Sequence, residues 1–365
     1  MRRRKVLRAL GALGALAAGF AAPTLRAAKK VRFPDALPEG GLAFPRDHGA
    51  HPDFRIEWCY VTGWLRGQRA TQDLGFQITF FRARNAYATD NPSRFTPHQV
   101  LFAHAALADP EHGRLQHDQR AAREGLTLAG AQTDATRVWI DDWHFAQTAH
   151  GYESTIAARE FALRLAFATD RPPLLQGVAG FSRKGPRPRE ASYYYSRPQL
   201  AVEGTVERGG RPLPVRGTAW LDHEWSSAYL PPEAAGWDWI GINLDDGGVL
   251  MAFVMRSKNG GVHYGGGTLA RADGSRRSFA PDGVRFEPLR RWRSPRTGVE
   301  YPVSMRVSAG GEEWTLEPLM DDQELDSRLS TGTIYWEGAV RVASRGREVG
   351  RGYLELTGYW KPMTL

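Results

Sequence analysis

The chain holds a single cysteine, Cys59, among 365 residues, so no disulfide can close within it. A cysteine-rich metal site and a disulfide-stapled scaffold are therefore excluded. One-sided charge is also missing. Lys and Arg number 48 against 40 Asp and Glu, but Arg2, Arg3, Arg4, Lys5, Arg8 and Arg26 fall in the first 28 residues, which carry no acid. The remainder is close to balance and offers no electrostatic footprint for a nucleic acid. Past the N-terminal stretch, no apolar run is long enough to cross a bilayer as a helix. The Gly-x-Ser-x-Gly elbow, the Walker loop, the Rossmann glycine pattern and His-Glu-x-x-His are all absent. Ser226 and Ser227 stand near His223, yet neighbours on a strand face opposite sides, which argues against a serine hydrolase pair.

What the chain has in quantity is aromatic residues and turn formers: 12 Trp, 12 Tyr and 16 Phe beside 40 Gly and 23 Pro. Such a composition suits strands and tight turns. Every second residue is large and apolar in Leu74–Phe80 and again in Phe161–Phe167, the period of a half-buried strand. Paired runs flank Gly209-Gly210, Asp246-Gly247 and Gly310-Gly311, and these read as hairpins. The expectation is an all-β protein of antiparallel sandwiches or barrels.

A quasi-repeat divides the chain. Asp47-His48, Trp58-Cys59-Tyr60 and Phe81-Arg82 recur in order as Asp222-His223, Trp237-Asp238-Trp239 and Met255-Arg256. Duplication and chance in a Trp-rich chain both explain that order. Pro231-Pro232-Glu233-Ala234-Ala235-Gly236 reads as an exposed joint. Residues 1–28 read as an export signal, with a basic run, the uncharged 17-residue stretch Ala9–Leu25 and small residues Ala27 and Ala28. Arg3-Arg4-Lys5-Val6-Leu7-Arg8 is twin-arginine-like, although Arg2 and Val6 stand where that pattern prefers Ser or Thr and Phe. The mature protein is thus expected in the periplasm or outside the cell, without a stable membrane span; an uncleaved anchor is the alternative. Residues 29–44 follow as an extended strap, 45–227 as a first domain and 228–365 as a second.

The densest polar cluster is Asp222-His223-Glu224-Trp225, which continues the alternation of Val215 to Leu221. On a continuing strand His223 and Trp225 share the inward face of Leu221, while Asp222 and Glu224 point the other way. A His beside an indole face suits proton transfer near developing positive charge. A strand-end His that hydrogen-bonds a core carbonyl explains the residues equally. Asp47-His48-Gly49-Ala50-His51 offers two imidazoles and a carboxylate but no obvious third ligand, so loop packing is preferred to a metal. Asp321-Asp322-Gln323-Glu324 and Tyr335-Trp336-Glu337-Gly338 read either as polar residues aimed into a barrel mouth or as an acidic turn and an aromatic strand. Tyr353, Glu355, Thr357 and Tyr359 share a polar aromatic face that lines a cavity or meets water. No cofactor and no metal are called for.

The blocks Phe44–His51, Glu57–Gly63, Phe76–Arg82, Trp220–Ser227, Gly236–Trp239, Asp322–Leu325, Tyr335–Gly338 and Gly352–Tyr359 together resemble the AttH/CrtC family, predicted secreted hydrolases related to carotenoid 1,2-hydratase. The resemblance runs from about residue 44 to 360 and implies two lipocalin-like antiparallel β-barrels in tandem. It also implies a lipophilic, lipid or isoprenoid-like ligand, and a His-x-Trp element at His223 and Trp225, with Asp222 and Glu224 orienting the imidazole or water. Trp237, Trp239, Tyr335, Trp336, Tyr353, Glu355, Tyr359, His48, Trp58 and Tyr60 are the expected ligand-binding residues. Three departures stand out. Leu250-Met251-Ala252-Phe253-Val254 replaces the strand on which hydratases carry a Tyr and an Asp, and Cys59 and Met305 each replace an expected Trp. A hydratase-like enzyme is the first reading, and a non-catalytic lipid carrier or chaperone working with an envelope ABC transporter permease is the alternative.

Overall fold

The structure, a computed structural model, describes residues 31–67, 72–86, 93 and 95–364. Residues 1–28, read above as an export signal, lie outside the described residues. Among the described residues there is no α-helix, only 3₁₀ turns at Pro38–Gly40, Arg46–His48 and Pro281–Gly283. The first sheet comprises β1 (Ile56–Gly67), β2 (Asp73–Arg84), β3 (Gln99–Ala108), β4 (Leu115–Arg123), β5 (Ala129–Ala131), β6 (Arg137–Ile140), β7 (Trp143–Thr148), β8 (Gly151–Ala157), β9 (Phe161–Ala168), β10 (Leu174–Leu175), β11 (Phe181–Arg183), β12 (Ala191–Arg208) and β13 (Arg211–Ser226). The second comprises β14 (Ala234–Leu244), β15 (Val249–Ser257), β16 (Val262–Ala270), β17 (Arg276–Phe279), β18 (Val284–Arg293), β19 (Glu300–Ala309), β20 (Glu312–Pro318), β21 (Glu324–Asp326), β22 (Ile334–Ser344) and β23 (Arg347–Leu356).

Both sheets are antiparallel throughout and curl toward closure, as two lipocalin-like barrels in tandem. The path of the first runs β4-β3-β2-β1-β13-β12-β9-β8-β7-β6-β5, and β6 returns to pack on β3 and β4. That of the second runs β17-β16-β15-β14-β23-β22-β20-β19-β18, with β18 returning to β15 and β16. Turns at Gly209-Gly210, Asp246-Gly247 and Gly310-Gly311 close the hairpins that alternation foresaw.

Each barrel interior is filled by side chains. Val61, Leu65, Phe76, Ile78, Leu163 and Val202 belong to the first core, and Ile240, Ile242, Val303, Leu316, Trp336 and Leu354 to the second. The opposite face of β1 carries Tyr60 and Trp64, and that of β14 carries Trp237 and Trp239. These outer faces meet in a third, aromatic core between the barrels, so β1, β14 and the second half of β13, from Ala219 on, are buried on both sides. Close approach matters here. A Cβ on Gly75 would stand 2.6 Å from the Ala339 methyl and 2.7 Å from the Tyr353 hydroxyl of the other barrel.

Two expectations need correction. The segment between β13 and β14 is not an exposed joint: Pro231, Ala234, Ala235 and Gly236 are buried, and only Pro232 and Glu233 are exposed. Its apolar residues are held in the seam between the barrels. The quasi-repeat holds in part. Its hairpins, β1–β2 and β14–β15, occupy matching places, and Trp58, Tyr60, Trp237 and Trp239 all turn to the seam. The Asp-His elements differ, because Asp47-His48 sits in a 3₁₀ turn and Asp222-His223 within β13.

Candidate functional site

The outer face of β13 presents Trp220, Asp222 and Glu224 to the seam at successive even positions. A bulge between Arg197 and Leu200 of β12 shifts the alternation, so Tyr194 and Ser196 face this side while Leu200 and Val202 enter the first core. Asp222 is consequently ringed by donors: Ser196 Oγ at 2.5 Å and Trp220 Nε1 at 2.6 Å on Oδ1, and the Tyr194 hydroxyl at 2.6 Å on Oδ2. Burial nevertheless outweighs those bonds and, with the charge of Glu224, pushes its pKa up to about 7. Glu224 accepts hydrogen bonds from Ser192 and from Lys184 Nζ at 2.8 Å. Burial raises the Glu224 carboxyl and depresses the Lys184 ammonium, each opposed by the other's charge. Lys184 is 1% exposed, and its Nζ lies 4.3 Å from the ring centre of Phe253 and 4.9 Å from that of Tyr194.

The facing wall comes from the second barrel. On β22 and β23, Glu337 and Glu355 are cross-strand neighbours. Glu337 accepts from the Tyr60 hydroxyl at 2.6 Å through Oε1, while its buried Oε2 has no partner. Burial, then the charge of Glu355, holds the Glu337 carboxyl well above the carboxylate range. Glu355 accepts from Trp237 Nε1 at 2.7 Å. Its pKa rises to about 7 because burial and the charges of Asp222 and Glu224 outweigh that bond. Asp222, Glu224, Glu337 and Glu355 thus form a patch of carboxyls that resist ionisation.

Between the walls lies a cavity of about 300 Å³, lined by Trp58, Tyr60, Phe81, Phe102, Tyr229, Trp237 and Trp239 together with Asp222, Glu224, Glu355 and Tyr335. Its size sits at the lower end for small-molecule sites, and its lining of aromatics with convergent polar groups is typical of them. Tyr229 stands edge-on to Trp58 and Trp237, and Tyr60 edge-on to Trp239. At the far end, His104 bonds the Tyr335 hydroxyl at 2.8 Å and Ser330 Oγ at 2.8 Å, and burial lowers its pKa to about 3, so it is neutral. Residues 330–333 and 361–364 form the rim.

The other face of β13 serves a second cluster, which reaches the cavity through Glu57 and Arg82. His223 and Trp225 do share a face opposite Asp222 and Glu224, as alternation requires, but that face looks away from the cavity. His223 Nε2 is 2.9 Å from Glu57 Oε1, and His223 Nδ1 is 3.0 Å from the Tyr195 hydroxyl. His51 brings Nδ1 to 2.7 Å from the same Glu57 oxygen and stacks on Trp225 at 3.6 Å. Arg82 Nε holds Glu57 Oε2 at 2.8 Å. Burial works against every charge in this cluster. Arg82 and the imidazoles still keep the Glu57 carboxyl well below the usual range, and Cys59 and Glu57 lift His223 to about 9.

Of the residues marked from sequence, Asp222, Glu224, Trp237, Trp239, Tyr335, Glu355, Trp58 and Tyr60 line the cavity. Tyr353 lies in the aromatic seam beside it. Trp336 lies elsewhere, in the second core, with its Nε1 on the Asp321 carbonyl at 2.8 Å. Tyr359 bonds Asp238 beneath the Arg256 guanidinium, and His48, in its 3₁₀ turn, packs against Phe44 and Tyr195. Asp321–Glu324 do not reach a barrel mouth: Asp322 and Glu324 pair with Arg296, and Gln323 bonds the Ala339 backbone. Lys184 and the roles of Glu57, Arg82 and His51 were missed. The available signal was an inward acid and an inward base, Glu57 and Arg82, at the ends of otherwise apolar strand faces.

No curated protein matches the chain. Among solved structures, a protein of Nitrosomonas europaea described as an AttH is 52% identical over 90% of this chain and 100% of its own, with a TM-score of 0.84. Kievitone hydratase of Nectria haematococca superposes with a TM-score of 0.66 over 91% of this chain and 98% of its own at 13% identity. CghA, solved with Sch210972, gives 0.52 over the same shares at 15% identity. The last two share the fold. The AttH-like family pattern matches residues 35–359, both barrels and the seam that holds the cavity, and the chain belongs to that family.

Proposed function

We propose that the cavity between the barrels binds a lipophilic molecule bearing an alkene and adds water across it. The observation that carries this reading is Glu355. One of its oxygens is fixed by Trp237, burial and the neighbouring acids push the pKa of its carboxyl up to about 7, and it borders a cavity walled by indole and phenol rings. A neutral carboxyl in an apolar site is a competent general acid near pH 7. Its proton passes to the less substituted alkene carbon, and the resulting tertiary cation lies against Trp58, Trp237 and Trp239, whose faces stabilise positive charge. Water adds to the cation, and the proton it releases returns to Glu355 or goes to Asp222, so the net change is one water gained.

This assignment moves the acid from His223 to the carboxyl patch, because both ring nitrogens of His223 are engaged on the opposite face of β13. It also supplies the acid that β15 lacks, from β23 and β13 instead. Kievitone hydratase, which has the same fold, is by its name a hydratase, which accords with the reading. Incubation of the purified protein with copurified lipids and short isoprenoid alkenes in ¹⁸O-labelled water tests it. Product should carry one labelled oxygen, and Glu355→Gln should lower turnover by about 10² to 10⁴ with ligand quenching of Trp fluorescence retained. Bound, unaltered lipid in the wild type would instead make the protein a carrier.

A further inference from the structure

The geometry on the opposite face of β13 points to a metal site: we propose that His51 Nδ1, Glu57 Oε1 and His223 Nε2 bind one divalent transition-metal ion, which clasps the loop that leads into β1 to the first barrel. The three donors come from the loop before β1, from β1 and from β13, and all lie within 4.8 Å of one another. Two imidazoles and one carboxylate are a donor set that suits Zn²⁺ and Fe²⁺.

The far side of each ring is held as a ligand's would be. His51 Nε2 is 3.3 Å from Asp47 Oδ1, and His223 Nδ1 is 3.0 Å from the Tyr195 hydroxyl. When these outer nitrogens donate their protons to those partners, the inner nitrogens are left with lone pairs aimed at one carboxylate oxygen. Trp225, stacked 3.6 Å from His51 and nearly parallel to it, fixes the plane of that ring. Electron-rich atoms that converge in this way need positive charge between them. Two protons can provide it, and so can one divalent ion. The exchange leaves net charge unchanged, so Arg82, bound to the other Glu57 oxygen, opposes both states alike.

The fit requires modest movement. Donors on a tetrahedral ion with bonds of about 2.0–2.1 Å stand about 3.3 Å apart, so each imidazole must withdraw about half an ångström from Glu57 while the two ring nitrogens, which lie within 4.8 Å of each other, close to that spacing. A void of about 30 Å³ bordered by Glu57, Cys59, Arg82 and His223 has room for one water as a fourth ligand.

The test uses the full chain, purified without chelators for elemental analysis, then stripped and titrated with Co²⁺. One equivalent should bind, with the visible bands of a four- or five-coordinate ion, and Zn²⁺ should displace it. His51→Gln and His223→Gln should each cut occupancy by about tenfold or more, whereas His112→Gln, on the exposed surface, should bind as the wild type does. Circular dichroism establishes that each variant folds, and the wild-type titration stands without them. Absence of stoichiometric Co²⁺ and Zn²⁺ binding to the wild type would show a proton-bridged network only and overturn the proposal. Undiminished binding in a His51→Gln, His223→Gln double variant would overturn it as well.

Discussion

If Glu355 is held neutral by its surroundings, it lowers the stability of the fold at neutral and alkaline pH. In the folded chain its pKa is about 7, against an ordinary 4.5 once unfolded. The folded state therefore binds the proton more tightly than the unfolded state does. Stability from this group is fully present below about pH 4.5 and is lost as pH rises through 7. At about 1.36 kcal/mol per pH unit, the interval between the two values sets the loss at roughly 3 kcal/mol. Gln in its place keeps the acceptor for Trp237 Nε1 and cannot ionise. Glu355→Gln and wild type should therefore unfold at nearly the same urea concentration at pH 5. At pH 8.5 the variant should be the more stable by up to about 3 kcal/mol, while its turnover is lost. Equal stability of the two proteins at both pH values would refute the claim that burial and the neighbouring acids hold Glu355 neutral. So would a variant weakened at alkaline pH.

Two further outcomes follow from the seam. Lys184→Met strips Glu224 of its cation inside the protein and should cost about 3–5 kcal/mol at pH 8, less at pH 5 where Glu224 can take up a proton; adding Glu224→Gln should restore most of the loss in chemical denaturation. Gly75→Val drives a side chain into Ala339 and Tyr353 of the second barrel, and should lower stability by about 1–3 kcal/mol and weaken Trp quenching by any cavity ligand.

Strand content was legible because alternation is a local property. Leu74–Phe80, Phe161–Phe167 and the Gly-flanked hairpins announce themselves within a few residues. The division of β13 into a His223-Trp225 face and an Asp222-Glu224 face followed from the same rule. Which face carries the cavity did not follow, since both faces of β1 and β14 are apolar and period two cannot say which one meets a second barrel. Continued alternation makes the His223-Trp225 face the inward one, and the cavity borders the Asp222-Glu224 face. Lys184 was out of reach for another reason. It sits between β11 and β12 in a loop of Gly185, Pro186 and Pro188, where a lysine ordinarily meets solvent, and only the tertiary fold brings it under Glu224. The closure of His51, Glu57 and His223 likewise depends on contacts spanning up to 172 residues of chain, from the loop before β1 through to β13.

A cavity built from the outer walls of two barrels obeys different rules of inheritance from one inside a barrel. In a single lipocalin-type cup, ligand size follows the radius, which strand number and shear fix, so specificity changes by replacing interior side chains. Here both cups are full, and the dimension that decides what fits is the gap between two solid bodies. A small slide or rotation at the contacts of Gly75, Tyr353, Trp64 and Gly352 would resize it without touching either core. If the cavity holds the ligand proposed above, changes at residues that never meet that ligand would alter which shapes fit.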